Sequence, residues 1–445
     1  MTLSYNYMYA LAIQLIVYAY GPMMFLNTQY SDIMTNNLHS NISFNTMYYS
    51  TGLSTPSVPV KPTPSANDVL YTIAQLDLTE TEIILKTPKN VGNNPRFWAV
   101  TLDDFYASEF ITIPGTDVTQ QKKTYLIVGP NGPVGNIPNN VIVINAPTNR
   151  VYLISKTAVM GSGDLSDALD FMNKITIMPT NPNAASRNAV IFPPGWFLNS
   201  TFFYTTFLNG VYNNPYPSEE SSFWTQMKDV GLGPQPSFNL SSFSSDIQSA
   251  LLQAIPDAFN IVLSYMRVNP NNPSGFGLFT YNTSWSTVRP NGRFESHYLQ
   301  RAFLSFAGSI GGTTAPIQFD MGGTVDSLGT PLNGNNNYTI HFESSNLPLV
   351  DEESGFWSIT MYSVTAGGLI LYSNPYNIYG IGSNTNTLQY NTDGSLDIYI
   401  QHAPPTLLTN FLPAPLGPFN VILRTYLPEY IQYIDPSNIP SIVMV

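Results

Sequence analysis

The side chains in this sequence with acid–base or metal chemistry are few. The histidines are His39, His297, His341 and His402, three of them in the C-terminal half. Three imidazoles can hold a metal inside a jelly roll, but the close His-x-His pair that usually marks such sites is missing. His341 also falls on the polar phase of a predicted strand, so no metal site is assigned. Neighbouring acids occur at Asp103-Asp104, Glu219-Glu220 and Asp351-Glu352-Glu353. Two-carboxylate catalysis needs groups that converge across a cleft, whereas sequence neighbours on a strand point to opposite faces. These acids read as a strand end, a helix start favoured by the macrodipole and a solvated loop.

Nucleophilic serine chemistry has no Gly-x-Ser-x-Gly elbow to work from. Gly161-Ser162-Gly163-Asp164 reads as the cap of a following helix, and Gly231-Leu232-Gly233 and Gly380-Ile381-Gly382 read as turns rather than dinucleotide loops. No catalytic residue and no cofactor is assigned. Arg301 and Arg424 stand as isolated cations among apolar residues. Each either binds an anion in a pocket between sheets or pairs with a buried carboxylate such as Asp397 or Glu295. Asn41, Asn199, Asn239, Asn282 and Asn337 begin Asn-x-Ser/Thr sequons and are glycosylation candidates if the protein is exported.

Composition narrows the classes. Only 10% of residues are charged, against roughly 25% in an average soluble protein. The polar surface must come from Asn, Ser, Thr, Gln and Tyr hydroxyls. Net charge is −12, no Lys or Arg precedes Lys61, and no Lys follows Lys228. Nucleic-acid binding needs a basic stripe to displace counterions, and none can be drawn, so that partner is excluded. Cysteine is absent, which removes disulfides, thiol nucleophiles and zinc thiolates. Low charge, abundant amides and hydroxyls and no thiols together suggest an extracellular, cell-surface or virion protein. The apolar run Met8–Tyr20 lacks a basic flank and is short of the ~20 residues that span a bilayer. It predicts a buried helix stopped by Gly21-Pro22, with no membrane span.

The remaining residues predict mainly β structure: two antiparallel β-sandwich or jelly-roll domains, a helical middle segment and an N-terminal helix. The expected organisation is an N-terminal helix and extension over 1–49, a Pro/Ser/Thr-rich linker over 50–65 and a first β-sandwich over 66–184. A helical segment over 185–272 and a C-terminal jelly roll over 273–445 follow. Short runs bounded by Gly, Pro or Asn predict strands at 69–76, 82–86, 97–102, 124–128, 141–145 and 151–154. Helical spacing returns around Phe223, Trp224 and Met227 and over 246–266, where Pro256 should kink or split the helix. Later, Tyr338, Ile340 and Phe342, then Trp357, Ile359 and Met361, then Leu396, Ile398 and Ile400, alternate with polar residues as half-buried strands do.

Ordered motifs add a resemblance. Ala19-Tyr20-Gly21-Pro22, Asp68 with Leu70-Tyr71, Arg96-Phe97-Trp98 leading to Asp104, Val128-Gly129-Pro130 and Pro147-Thr148-Asn149 lie in the first half. Tyr298 with Arg301-Ala302, Phe356-Trp357-Ser358, Asn374-Pro375, Asp393-Gly394-Ser395-Leu396, Leu412-Pro413-Ala414-Pro415 and Arg424 with Tyr426 lie in the second. In these the chain resembles the paired bacterial, archaeal and viral domains of unknown function 1254 and 1214, from about Tyr9 to the C-terminus. The resemblance implies two β-sandwich domains around a helical segment and no established reaction. The chain departs from the family pattern at Gly115-Thr116-Asp117-Val118-Thr119 and at Asn374-Pro375-Tyr376-Asn377-Ile378-Tyr379, where arginines are replaced. Arginine suits bidentate capture of carboxylate or phosphate, so an anion site is disfavoured.

Two functions from different classes follow. The first is a non-enzymatic protein of a surface or virion exterior, acting in assembly or attachment and self-associating into an oligomer. The second is an enzyme or small-ligand binder with one pocket between the β domains, built around Asp68, Tyr71, Asp104, Tyr298, Arg301, Trp357 and Arg424. It requires those side chains to converge.

Overall fold

The structure, a computed structural model, describes residues 4–34, 42–57, 65–89, 95–114, 123–133, 135–265, 277–281, 284–289, 291–307, 310–366, 368–429 and 438–445. The β-branched and aromatic runs become strands of four sheets. The first, central sheet orders Met47–Tyr49, Val69–Asp77, Arg150–Ala158, Trp98–Asp104 and Glu109–Ile113; the second orders Ile142–Asn145, Thr124–Val128, Ile83–Lys86 and Thr176–Pro179. They face each other across one apolar core that includes Leu76, Leu85, Trp98, Ile127 and Leu153. In the C-terminal half, a seven-stranded sheet has Gln318–Gly323, Phe419–Tyr426 and Phe356–Thr365 at its centre. It shares a core with a four-stranded sheet of Phe411–Pro413, Leu396–Gln401, Tyr338–Phe342 and Ile442–Met444.

Two sheet-rich regions therefore flank a helical middle, as the patterning predicts. No described sheet closes into a barrel. The C-terminal jelly roll expected over 273–445 is corrected to two open sheets over a shared core. Pairing is also not wholly antiparallel, because Thr124–Val128 runs parallel to Ile142–Asn145 and Leu396–Gln401 parallel to Phe411–Pro413. Of the expected linker, residues 58–64 lie outside the described residues, and its described part forms neither helix nor strand.

The central sheet has no solvated face over its middle strands. All nine residues of Arg150–Ala158 and all seven of Trp98–Asp104 are buried. One face meets the second sheet. On the other face Ile73, Tyr152 and Ile154 join the core of the helical body, while Phe97, Ala99 and Ala158 pack on Phe356 and Tyr426 of the C-terminal half.

The helices are α1 (Tyr5–Met34), α2 (Leu165–Met172), α3 (Ser200–Asn213), α4 (Ser221–Asp229), α5 (Ser245–Ser264) and α6 (Tyr298–Phe306). α3 carries no strong helical spacing in the sequence, and α6 lies inside the stretch where strands were expected to dominate. α5 continues through Pro256 and is not split there. α1 likewise continues through Gly21-Pro22 instead of stopping there. It is long and apolar enough to cross a membrane by length and composition, yet 72% of its apolar 18-residue window is buried inside the protein.

The reason α1 tolerates Pro22 is visible in its neighbours. In a regular helix the N–H of residue 22 would donate to the carbonyl of residue 18, and proline has no such donor. Arg301 supplies one, its Nη2 donating to the Tyr18 carbonyl at 3.2 Å. Gly21 makes the approach possible, since a Cβ there would lie 2.9 Å from the Tyr106 carbonyl oxygen and 3.1 Å from Arg301 Nε. Gly21→Val is therefore expected to destabilise the fold by about 1–3 kcal/mol, the usual cost of overpacking. Denaturant melts of the two proteins check this, and an unchanged midpoint would refute it.

Candidate functional site

Two polar centres form where the central sheet meets its neighbours. At the first, strand periodicity decides which side chains face the junction. In Phe356–Thr365, Trp357, Ile359 and Met361 enter the C-terminal core, so Phe356, Ser358, Thr360 and Tyr362 face the first half. In the adjacent Phe419–Tyr426 strand, Arg424 pairs in register with Ser358 and, on its other side, with Asp320. Asp68, one residue before Val69–Asp77, accepts from Ser358 Oγ and, at 3.0 Å, from Tyr426 Oη. Arg424 Nη1 donates to Tyr362 Oη at 2.9 Å and Thr360 Oγ1 at 3.3 Å, and its Nε lies 3.9 Å from Asp320 Oδ2. Tyr71 Oη accepts from the Ala66 N–H at 3.1 Å.

Burial raises the Asp68 carboxyl above its ordinary range, while Arg424, Ser358 and Tyr426 oppose the rise. Burial likewise raises the Tyr71 phenol against the pull of Arg424. Beside Asp68 opens a pocket of about 370 Å³, lined by residues that include Ser358, Thr360, Tyr379, Asn384 and Phe411. Such a volume lies within the range of small-ligand sites, roughly 300–1,000 Å³.

The second centre is built on α1 and α6. The Arg301 guanidinium sits over the rings of Tyr18, Tyr298 and Tyr106, at 4.6, 5.1 and 5.9 Å from their centroids. Tyr18 Oη donates to the buried Glu220. Asp104 Oδ1 accepts from the Tyr106 and Ser108 N–H groups at 2.9 and 3.1 Å. Burial drives Asp104 up to about 7, with the Ser108 N–H, Arg301 and the Tyr106 N–H pulling the other way. Burial also raises Glu220, against its bond to Tyr18 and the charge of Arg301. Arg301 is the cation among these acids.

The seven sequence candidates therefore do not converge. Asp68, Tyr71 and Arg424 share the first centre, and Asp104, Tyr298 and Arg301 share the second. Trp357 belongs to neither: it is core, 5.7 Å from the Phe342 ring. The Asp68 carbonyl takes the Val159 N–H, whereas Asp104 stands opposite Val151 on the same strand. Eight extended residues separate those positions by about 26 Å. A seam of buried polar contacts joins the two halves between the centres. Lys156 Nζ donates to Gln318 Oε1 at 2.6 Å, Asp103 Oδ2 accepts from the Gly311 N–H at 2.6 Å, and Glu109 accepts from the Thr314 N–H at 2.8 Å. Burial lowers Lys156 and raises Asp103 well above the usual carboxyl range.

The arginines' expected partners are also corrected. Asp397 bonds His341 Nδ1 at 2.7 Å, and Glu295 is exposed. Glu220, read as part of a solvated helix start, is buried against Tyr18. Glu220, Tyr18 and Ser358 are functional-centre residues that the sequence reading missed. The one signal for any of them was the motif Phe356-Trp357-Ser358, which contains Ser358. Among the sequons, Asn41 and Asn282 lie outside the described residues, as does the stretch 115–119. Asn199, Asn239 and Asn337 are exposed; Asn199 caps the start of α3 and Asn239 a single helical turn.

Comparison with known proteins agrees with this division. Residues 44–179 match the family described as protein of unknown function DUF1254, and residues 318–430 match protein of unknown function DUF1214. No curated protein matches the sequence. Among solved structures, the chain is similar to the VPA0106 protein from Vibrio parahaemolyticus, with a TM-score of 0.73 at 17% identity, covering 98% of this chain and 100% of that one. It is less similar to an uncharacterised protein from Burkholderia cenocepacia, with a TM-score of 0.44 at 8% identity over 95% of this chain and 87% of that one. The first likeness shows the fold alone.

Two outcomes are expected at the second centre. Arg301→Met leaves Glu220 and Asp104 buried without their cation and should destabilise the protein by about 3–5 kcal/mol, read as a shift in denaturant midpoint. Asp104 is expected to make stability depend on pH. Its folded pKa lies above the unfolded value, so its contribution is fully present below about pH 4 and is lost as pH rises toward 7. Asp104→Asn should remove roughly 4 kcal/mol of that slope, at about 1.4 kcal/mol per unit. Parallel slopes for both proteins between pH 4 and 8 would contradict the assignment.

Proposed function

The chain belongs to the family that pairs a DUF1254 half with a DUF1214 half, and we propose that it is a non-enzymatic attachment protein of an exposed surface. On this reading it holds a small ligand in the pocket beside Asp68, at the junction of two open β-sandwiches. The observation that carries the reading is that pocket. Both halves contribute to its wall, Leu53, Asn67 and Asp68 from one and Ser358, Thr360 and Asn384 from the other. A site made by two packed halves is held in one shape, and preorganised shape favours binding.

The arrangement of acids supports binding over catalysis. Both oxygens of Asp68 already accept a hydrogen bond from a neighbouring hydroxyl. Asp320, the carboxylate on the far side of Arg424, does not line the pocket, and the centre around Asp104 and Glu220 lies at the far end of the strand and not across the same cleft. Acid–base chemistry on one substrate needs its groups within hydrogen-bond reach of the reacting atoms. The exposed positions of Asn199, Asn239 and Asn337 and the scarcity of charge favour an exterior location. Self-association belongs to the same reading, through exposed aliphatic residues such as Leu407 and Leu416.

Crystals of the full chain soaked with a diverse fragment library test the site. Fragments are expected to gather in the pocket beside Asp68; a pocket left empty while fragments settle elsewhere would remove the reading. In parallel, the protein should show no turnover of nitrophenyl esters, glycosides or anilides. Turnover abolished by Asp68→Asn would replace attachment with catalysis.

A further inference from the structure

Lining chemistry narrows what the junction pocket can take, and the inference rests on the binding role given above. Asp68 is the sole charged residue in its described lining. An anion would meet that carboxylate first. An added cation would find the charge already offset, because Asp68 lies in the field of Arg424. Neither sign of ligand charge gains, and a neutral ligand is favoured.

Hydrogen-bonding ends then set the polarity of the ligand. Asn67 Nδ2 donates to the Ser54 carbonyl at 2.5 Å, Asn384 Nδ2 to the Val159 carbonyl at 3.0 Å, and Asn386 Nδ2 to Ser162 Oγ at 3.2 Å. The last two tie the lining loops together across the junction. Each bond engages one of the two amide hydrogens, leaving one N–H donor and the carbonyl acceptor on each amide. Asp68 adds the second lone pairs of its carboxylate. Thr360 Oγ1 accepts from Arg424 Nη1 and bonds Tyr362. The Ser162 and Thr385 hydroxyls accept from Asn386 Nδ2 and the Gly382 N–H and keep their hydrogens as donors. The wall therefore offers both acceptors and donors, and it alternates with the apolar surfaces of Leu53, Ile378, Ile381 and Phe411.

We propose that this pocket binds an uncharged polyhydroxylated ligand of the sugar class, whose hydroxyls donate to Asp68 and to the amide oxygens of Asn67, Asn384 and Asn386. The C–H faces of such a ligand cover the apolar lining. Hydroxyl groups both donate and accept and carry no charge, which is the combination that matches this lining. An open-chain polyol has the same chemistry as a ring sugar, and only the shape of the cavity separates them.

The experiment is a titration of the full-length protein, isotope-labelled at Ile and Leu methyls, followed through Ile378, Ile381 and Leu408. The probes are methyl glucoside, methyl galactoside, sorbitol, sodium phosphate, N-acetylneuraminate and tetramethylammonium. Saturable shifts at these methyls are expected with the neutral probes. A response to the glycosides alone assigns a ring sugar, and an equal response to sorbitol assigns an open polyol. Asn384→Ala and Asn67→Ala should each weaken binding about tenfold, the loss of roughly one hydrogen bond. Melting curves of the two variants verify that they fold, and either one alone suffices. Shifts with the charged probes only would overturn the ligand class while leaving the pocket as a binding site. No shift with any probe, together with an empty pocket in the fragment soak, would overturn both.

Discussion

The interaction on which the helical body depends is the hydrogen bond from Arg301 to the Tyr18 carbonyl. Pro22 leaves that carbonyl without its helical donor, and Gly21 clears the space through which the guanidinium reaches it. The same guanidinium covers the Tyr18 ring, whose hydroxyl holds Glu220 at the start of α4. It also faces Tyr106, just beyond the strand Trp98–Asp104. One cation thus ties α1, α6, the α4 entry and the central sheet together. A buried charge is tolerated only when paired and hydrogen-bonded, so these elements can settle in one arrangement but not separately.

Burial of both faces of the central sheet follows from the same packing. With the helices and the C-terminal half covering its second face, residues such as Lys156, Asp103 and Thr101 lose water and must find partners in the protein. They find them in the segment 311–318, which connects α6 to the C-terminal sheet. The polar seam is therefore a register device. Each contact joins residues far apart in the chain, and a slip of one residue would leave buried groups unpaired.

Scarcity of charge acquires a structural meaning in this light. Of 16 Lys and Arg residues, Arg96, Arg150, Lys156, Arg301 and Arg424 are buried. Arg96 grips Asp164 with two hydrogen bonds, and Arg150 lies over the Phe44 ring at 4.2 Å. A large share of the cations thus holds the interior together. The lining of the junction pocket is left to amides, hydroxyls and a single carboxylate.

Local patterns determined much of the fold. Short bounded runs placed the strands around Ile73 and Val100, and period-two alternation those around Ile340, Ile359 and Ile398, because side-chain direction along a strand depends on local geometry alone. Composition likewise excluded thiol chemistry. The sites were not legible in the same way. Ser358 and Thr360 read as the solvated phase of a strand, yet they are 3% and 1% exposed, facing a residue 290 positions earlier in the chain. Glu220 read as a solvated helix start, and Gly21-Pro22 as a helix stop, because the arginine that completes each is remote in sequence. Sequence periodicity tells which face of an element is polar. Whether that face meets water, a pocket or another buried polar face is decided by long-range packing, and only the tertiary structure contains it.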